Sequence, residues 1–372
     1  MSHQERESKK RKGIVFVLSI LILVALGVLS VLVLTRGASE SNFTRRFTSS
    51  TRAFWLAEAG INWALNKLQN NFDYFVKNGS PTFSGEGTCS VSITFQDANT
   101  REVVSTGSVS LGGVSIQHQI KAWVKKYIPS NFYNQPLYCA GNIDFNGSSY
   151  SVVAEDSSSS NPAIIYAGDF DVEHPENIIG TTTYSETASP LARFDFQQLY
   201  DISSSQGNVY NTDRLKKVKK GEVSFPSSFW YTRADDGIDN DNDDLIDESD
   251  EWVPNVVYVE SDLQLNGNIG NVGGFFVVVG DVITDPDEVD DIVIDGSGTI
   301  EGVVYTLGEF RINGGGGNLN VNGGVWAGKK VRLNGSASIE YNRQYMDAIE
   351  SLNIDPGVYI YSWEDLQKPY KL

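Results

Sequence analysis

The chain has 372 residues, with 47 Asp and Glu against 29 Lys and Arg, a net charge of −18 and two cysteines. That length supports two or three domains with cores of their own, and the charged fraction is ordinary for a globular protein. The acidic surplus excludes nucleic acid and anionic membrane surfaces as main partners, because both would repel it.

The amino-terminal stretch "KKRKGIVFVLSILILVALGVLSVLVLTR" carries no charge from Gly13 to Leu34. As a helix it spans roughly 33 Å, about one hydrocarbon core. The run is longer than a secretory h-region and no small-x-small site follows it closely, so it reads as a membrane span. Arg6, Lys9, Lys10, Arg11 and Lys12 precede it, and Arg36, Arg45, Arg46 and Arg52 follow. The tight cluster on the short tail orients that tail inward, although the overall Lys/Arg bias is slight.

Residues 35–70 extend this helix. In "RAFWLAEAGINWALNKL", Phe54, Ala57, Ile61, Ala64, Leu65 and Leu68 form one stripe, while Trp55, Leu56, Ala59 and Trp63 gather on nearly the opposite side. A helix apolar on two sides is buried on two sides. One stripe packs on the chain's own outer domain; the other either sinks into that domain or meets a neighbour.

Over residues 71–128 the pattern becomes period two, in "CSVSITFQ", "EVVSTGSVS" and "GVSIQHQIKAWV". Val114, Ile116, Ile120, Ala122 and Val124 alternate with Ser115, Gln117, Gln119, Lys121 and Trp123, which predicts antiparallel strands laid on the helix. His118 falls on the apolar side and reads as a satisfied core residue. Cys89 and Cys139 either pair across a loop of about 50 residues, worth roughly 4 kcal/mol on the chain-entropy model, or remain two buried thiols; the bridge is the favoured reading.

Residues 129–345 carry a recurring unit of apolar, any, apolar, Asn or Asp, Gly: "IDFNG" at 143, "LQLNG" at 263, "IVIDG" at 292, "FRING" at 310, "LNVNG" at 319 and "VRLNG" at 331. Each is a short strand ended by a pair that tolerates positive φ, and the spacing suits coils of a β-solenoid. Apolar runs precede four units in register, in "PLYCAGN", "VVYVESD", "VVYTLGE" and "GVWAGKK", so strands stack like with like. Asn146, Asn266, Asn313, Asn322 and Asn334 are expected to form a ladder at one corner. Residues 150–255 read as an insertion between coils, with the loop "EDSSSSNP" and a solvated basic run of Arg214, Lys216, Lys217, Lys219 and Lys220. Residues 346–372 read as a tail.

Within the insertion, "DNDNDDLIDESD" has the ligand spacing of an EF-hand-like calcium loop. Asp239, Asp241, Asp243, Asp247 and Asp250 stand at positions one, three, five, nine and twelve, and Leu245 supplies its carbonyl at seven. Asp244 replaces the usual turn glycine, and Asp250 replaces Glu, as in dockerin loops. Asp235 and Asp236 upstream leave a thrombospondin-like register open. The expected cofactor is calcium in a structural role, fixing the insertion against the solenoid.

The front end resembles PilX-type type IV pilus assembly proteins and, more loosely, the K-type minor pseudopilins of type II secretion. The apolar span followed by "AFWLAEAGINWALNKL", with its AEAG run from Ala57 to Gly60, carries the resemblance over about 60 residues. It implies a prepilin cut between Gly13 and Ile14, a cytoplasmic leader of residues 1–13 and a transmembrane helix of residues 14–34 in a bacterial inner membrane. It further implies other pilins or pseudopilins as partners for Trp55, Leu56, Ala59 and Trp63. Leu18 stands five residues into that mature chain, where major pilins carry Glu; this implies a tip subunit, or an uncut anchor.

The expected fold is mainly β with a long N-terminal α-helix: a pilin-like transmembrane helix, a small antiparallel sheet, then a right-handed-type parallel β-solenoid with an insertion. The expected function is that of a non-enzymatic minor pilin-like subunit for assembly or tip display in a pilus or pseudopilus. Two alternatives stand beside it: a permanently anchored, adhesin-like surface protein, and a carbohydrate-active β-helix enzyme using Asp144, Arg311 and Arg332, which share the middle position of their units.

Overall fold

A computed structural model of the chain describes residues 3–83, 87–129, 132–155, 162–233, 237, 252–279, 290–313 and 318–366, with side chains from residue 18 onward. The chain divides into two compact units, Met1–Trp123 with Ser362–Leu372, and Val124–Tyr361.

The first unit is built on one unbroken helix, α1 (His3–Asn70). Its apolar first half, from Leu18, is uncovered and is long enough to cross a membrane. Its last turns lie on an antiparallel sheet of β1 (Val76–Gly79), β2 (Thr88–Asp97), β3 (Thr100–Leu111) and β4 (Val114–Lys126), extended by a C-terminal strand, Val358–Asp365, beside β4. The stripe predicted to face the domain does so: Ala57, Ile61, Ala64 and Leu68 are buried, together with Ala53. Small residues let helix and sheet approach closely. A Cβ on Gly60 would collide with Ser105 and Cys89, and one on Gly107 with the helix backbone at Ala53. On β4, Ile120, Ala122 and Val124 are buried, as the alternation required, whereas Ile116 is half-buried and Val114, at the hairpin end of the strand, is 65% exposed.

One buried cation closes this layer. The Arg101 guanidinium, from β3, donates to the carbonyls of Phe72 (2.9 Å), Asp97 (2.7 Å) and Thr100 (3.1 Å) and to Asp73 Oδ1 (2.9 Å). It lies 4.2 Å from the Phe72 ring centroid and 4.7 Å from that of Phe95. It thereby ties the exit of α1 to the β2–β3 hairpin.

The second unit is a curled parallel sheet of 15 strands among the described residues. Its registers resolve into three stacks, one for each side of a coil. The first runs Val209–Tyr210, Val256–Val259, Phe275–Val278, Val303–Thr306, Val325–Ala327, Leu137–Cys139, Ile164–Tyr166 and Thr182–Tyr184. The second runs Leu263–Leu265, Ile292–Ile294, Phe310–Ile312, Val331–Leu333, Ile143–Phe145 and Phe170–Val172. The third contains Val272, Ile300, Val321, Ile339 and Val152 in register, with Ile178 last.

This order corrects the expected insertion over 150–255. Residues 150–184 supply solenoid strands, and the coil at 137–153 stacks after the coil that ends at Tyr341. The chain therefore enters the stack in its middle, builds outward to Tyr184, then returns along residues 185–208 to start again at Val209. The returning segment, 185–208, has a packing role. Phe194 and Leu199, with Phe132 and with Met346 and Ile349 of a short helix, cover the outer side of the first stack, burying Tyr138, Tyr258, Phe275, Tyr305 and Trp326. Tyr305 donates to the Ala192 carbonyl at 3.0 Å. Strands buried on both faces read as continuous apolar runs such as "FFVVV", whereas the second and third stacks alternate because one side meets water.

After Phe196–Ser205 (α2) comes Thr212–Lys219 (α3), which holds the basic run with Leu215 buried beneath it. The expected tail is also corrected: it forms Arg343–Ser351 (α4) and then the C-terminal strand.

Candidate functional site

Two features carry exposed chemistry. The first is α1 where it rises out of the span. Of the four residues assigned to its second apolar side, Trp55 is 60% exposed. Leu56, Ala59 and Trp63 are half-buried by their own unit: Leu56 lies against Gly87, and Trp63 against Gly79 and edge-on to Tyr74 at 6.1 Å. The opposite flank is the more open one, since Phe43 and Phe47 are 67% and 65% exposed.

A cavity of about 340 Å³ opens between this flank and β4, lined by Ser50, Thr51, Phe54, Trp55 and His118. His118 is 7% exposed and meets the Phe54 ring edge-on at 5.0 Å. It is buried as expected, but it is not satisfied. Its Nε2 stands 3.0 Å from Asp365 Oδ1, in ion-pair range but off the hydrogen-bond line, and Nδ1 has no hydrogen-bond partner among the described residues. One turn beyond Phe54, Glu58 Oε2 is also buried without a partner.

The second feature is the outer side of the second solenoid stack. Arg311, Arg332 and Asp144 fall in one row across adjacent strands, with Glu309 and Lys330 in the neighbouring row. The shared middle position thus does bring Asp144, Arg311 and Arg332 together. Lys330 Nζ lies 2.6 Å and Arg332 Nε 3.1 Å from Asp144 Oδ2, and Arg311 forks onto Glu309 at 2.7 and 3.1 Å. Burial raises both carboxyls, but the neighbouring cations outweigh it and hold Asp144 and Glu309 below the usual carboxylate range. Both therefore stay ionised and committed to cations, which suits an interlocking ladder better than proton transfer.

The asparagine corner forms in part. Asn266, Asp295, Asn313, Asn334 and Asn146 share the end of the second stack, and Asn334 donates to Asn313 Oδ1 at 3.4 Å. Asn322 does not belong to it; it lies on the third stack between Glu301 and Glu340 and accepts from Asn342.

The expected disulfide is replaced by two free thiols, each buried in its own unit. Cys89 lies 3.4 Å from Ser105 Oγ, and Cys139 donates to the Asn142 carbonyl. Burial raises both thiols, Cys139 to about 12, so neither is a reactive thiolate near neutrality. The acidic loop with Asp239, Asp241, Asp243, Leu245, Asp247 and Asp250 lies outside the described residues. Gly13 and Ile14 lie within α1, ahead of the described side chains.

The sequence marks Phe43 and Phe47 as a pair one turn apart in a polar Ser/Thr-rich stretch, but gives no sign of the role of Arg101. Arg101 stands just ahead of the alternating stretch "EVVSTGSVS", and its partners become visible only when the helix exit folds back.

No family model matches the chain, and no curated protein matches it. Among solved structures, the crystal structure of the competence-associated pilin ComZ from Thermus thermophilus is similar at a TM-score of 0.26, with 12% identity, covering 86% of this chain and 98% of that one. At that score it carries no argument about this chain.

Proposed function

We propose that the chain is a minor pilin-like subunit, held in a membrane by residues 14–34 and assembled with other pilins or pseudopilins through α1. The observation that carries this reading is the continuity of α1. A helix of 68 residues runs without a break from an uncovered apolar span into a half packed on a small sheet. An anchor alone needs no rigid extension, and a soluble helix needs no uncovered span; a subunit that leaves lipid to lie among other helices needs both. The bulky solenoid unit and Leu18 in place of an acidic residue support display at a tip over repetition along a shaft. The test is the amino terminus of the protein from its native membrane. A start at Ile14 is expected, and an intact Met1 or any other start refutes prepilin processing and leaves an anchored surface protein.

The acidic loop at 239–250 would hold calcium, since so many carboxylates in one short stretch repel one another without a cation. Calorimetric titration of the full chain with millimolar calcium should show uptake by one site, and no heat of binding would remove the cation from this reading.

A further inference from the structure

Between Thr35 and Ala53 the sequence is polar, and Phe43 and Phe47 are its only large apolar residues. Their place is not random. Arg36, Glu40, Phe43, Phe47, Ser50 and Phe54 follow alternating steps of four and three, the 3.5-residue period of a two-helix seam. Downward the same steps reach Val33, Leu29, Leu26 and Ile22 in the span. The chain's own unit covers the neighbouring flank from Ser49 and Ala53 upward, and the seam stops at Phe54. Arg36 and Glu40 already pair at 3.1 Å, so the seam presents no net charge.

The span sets the height of this stripe. Ser50 stands about 24 Å beyond Leu34 along the helix. Two copies anchored in one bilayer hold their stripes level and parallel, and a parallel pair brings like positions together, Phe43 to Phe43 and Phe47 to Phe47.

The cavity beside Phe54 fits the same arrangement. In a parallel pair, a residue flanking the seam on one helix meets the flanking residue five positions later on the other. Arg46 and Thr51 are related in this way, and Thr51 lines the cavity. Arg46 is exposed and has no ion pair among the described residues, whereas the cavity is lined by the rings of Trp55 and Phe54 and by His118, whose Nδ1 has no hydrogen-bond partner among the described residues. A guanidinium satisfies these walls: it stacks on aromatic faces and donates along its edge.

We propose that two copies of this chain pair as parallel helices along the seam Phe43, Phe47, Ser50 and Phe54, with Arg46 of each copy entering the cavity of the other beside His118 and Trp55. This pairing goes beyond assembly with other pilins and does not depend on leader cleavage.

The test is oxidative cross-linking of the full chain, expressed alone in membranes without other pilins, so that it reads self-pairing while the amino terminus reads processing. Ser50→Cys should form a homodimer, and Arg45→Cys, on the outward face, should give at least tenfold less. Adding Arg46→Glu to Ser50→Cys should lower the dimer yield at least tenfold. Maleimide labelling of the same membranes checks that every introduced thiol is accessible and the chain is present. An accessible thiol at position 50 that gives no dimer, or equal yields from positions 45 and 50, overturns the pairing. An unchanged yield with Arg46→Glu overturns the role of the cavity.

Discussion

Replacing Arg101 by Ala should loosen the helix-and-sheet unit at one end, because this side chain ties the exit of α1 to the turn of the β2–β3 hairpin. The guanidinium is nearly solvent-free, its side chain being 4% exposed, and it serves three backbone carbonyls. At about 1 kcal/mol for each carbonyl bond and about 0.5 kcal/mol for each of the two ring contacts, the loss is about 4 kcal/mol. Its pair with Asp73 adds nothing to that figure, since that carboxylate is 92% exposed and screened. Arg101→Lys should recover less than half, because a compact ammonium cannot span carbonyls on both sides of the hairpin. Hydrogen exchange of the β2 and β3 amides, read by mass spectrometry on the full-length protein, isolates this unit from the solenoid. Protection reduced by less than about 1 kcal/mol would refute the clamp.

The close approach at Gly107 should tolerate no side chain. Gly107→Ala sets a Cβ against Ala53 O and 2.7 Å from Ala57 N and should cost more than about 2 kcal/mol, while Gly112→Ala, with open space but a φ of +58°, should cost about 1 kcal/mol; the same exchange measurement separates them. In the solenoid, Asp144 and Glu309 have folded pKa values below their unfolded ones, so their contribution is complete above about pH 5 and is lost as the pH falls through the folded values. Acid unfolding followed by near-UV circular dichroism should therefore be less steep in Asp144→Asn, and an unchanged acid limb would count against the ladder. Tyr305→Phe removes a buried hydrogen bond to Ala192 and should free residues 185–208 to protease at about 1–2 kcal/mol lower cost; unchanged cleavage rates would show that the aromatic packing alone holds them.

Much of the architecture could be read locally. Uncharged residues from Gly13 to Leu34, the stripe from Ala57 to Leu68 and the alternation along β4 each state their own environment, because burial on one face imposes a period of 3.6 or 2. The six Asn/Asp-Gly units likewise announce stacked strands, and the shared middle position of Asp144, Arg311 and Arg332 survives as a real row of contacts. Elsewhere local pattern misled. Residues 150–184 lack the motif and carry a serine-rich stretch of sequence, yet their short strands complete two coils; Asn322 has the motif and still sits on another side.

What the sequence by itself determined is therefore what depends on neighbours in the chain: the span, the rigid helix, the turn after each short strand. What only the tertiary structure decided is order and closure. The coil at residues 137–153 stacks on one that ends at Tyr341, and Arg101 meets carbonyls up to 29 residues away. Stacked coils offer nearly equivalent edges, so local rules permit many orders. The order adopted is the one in which the returning segment can lie across the first stack and bury both its faces.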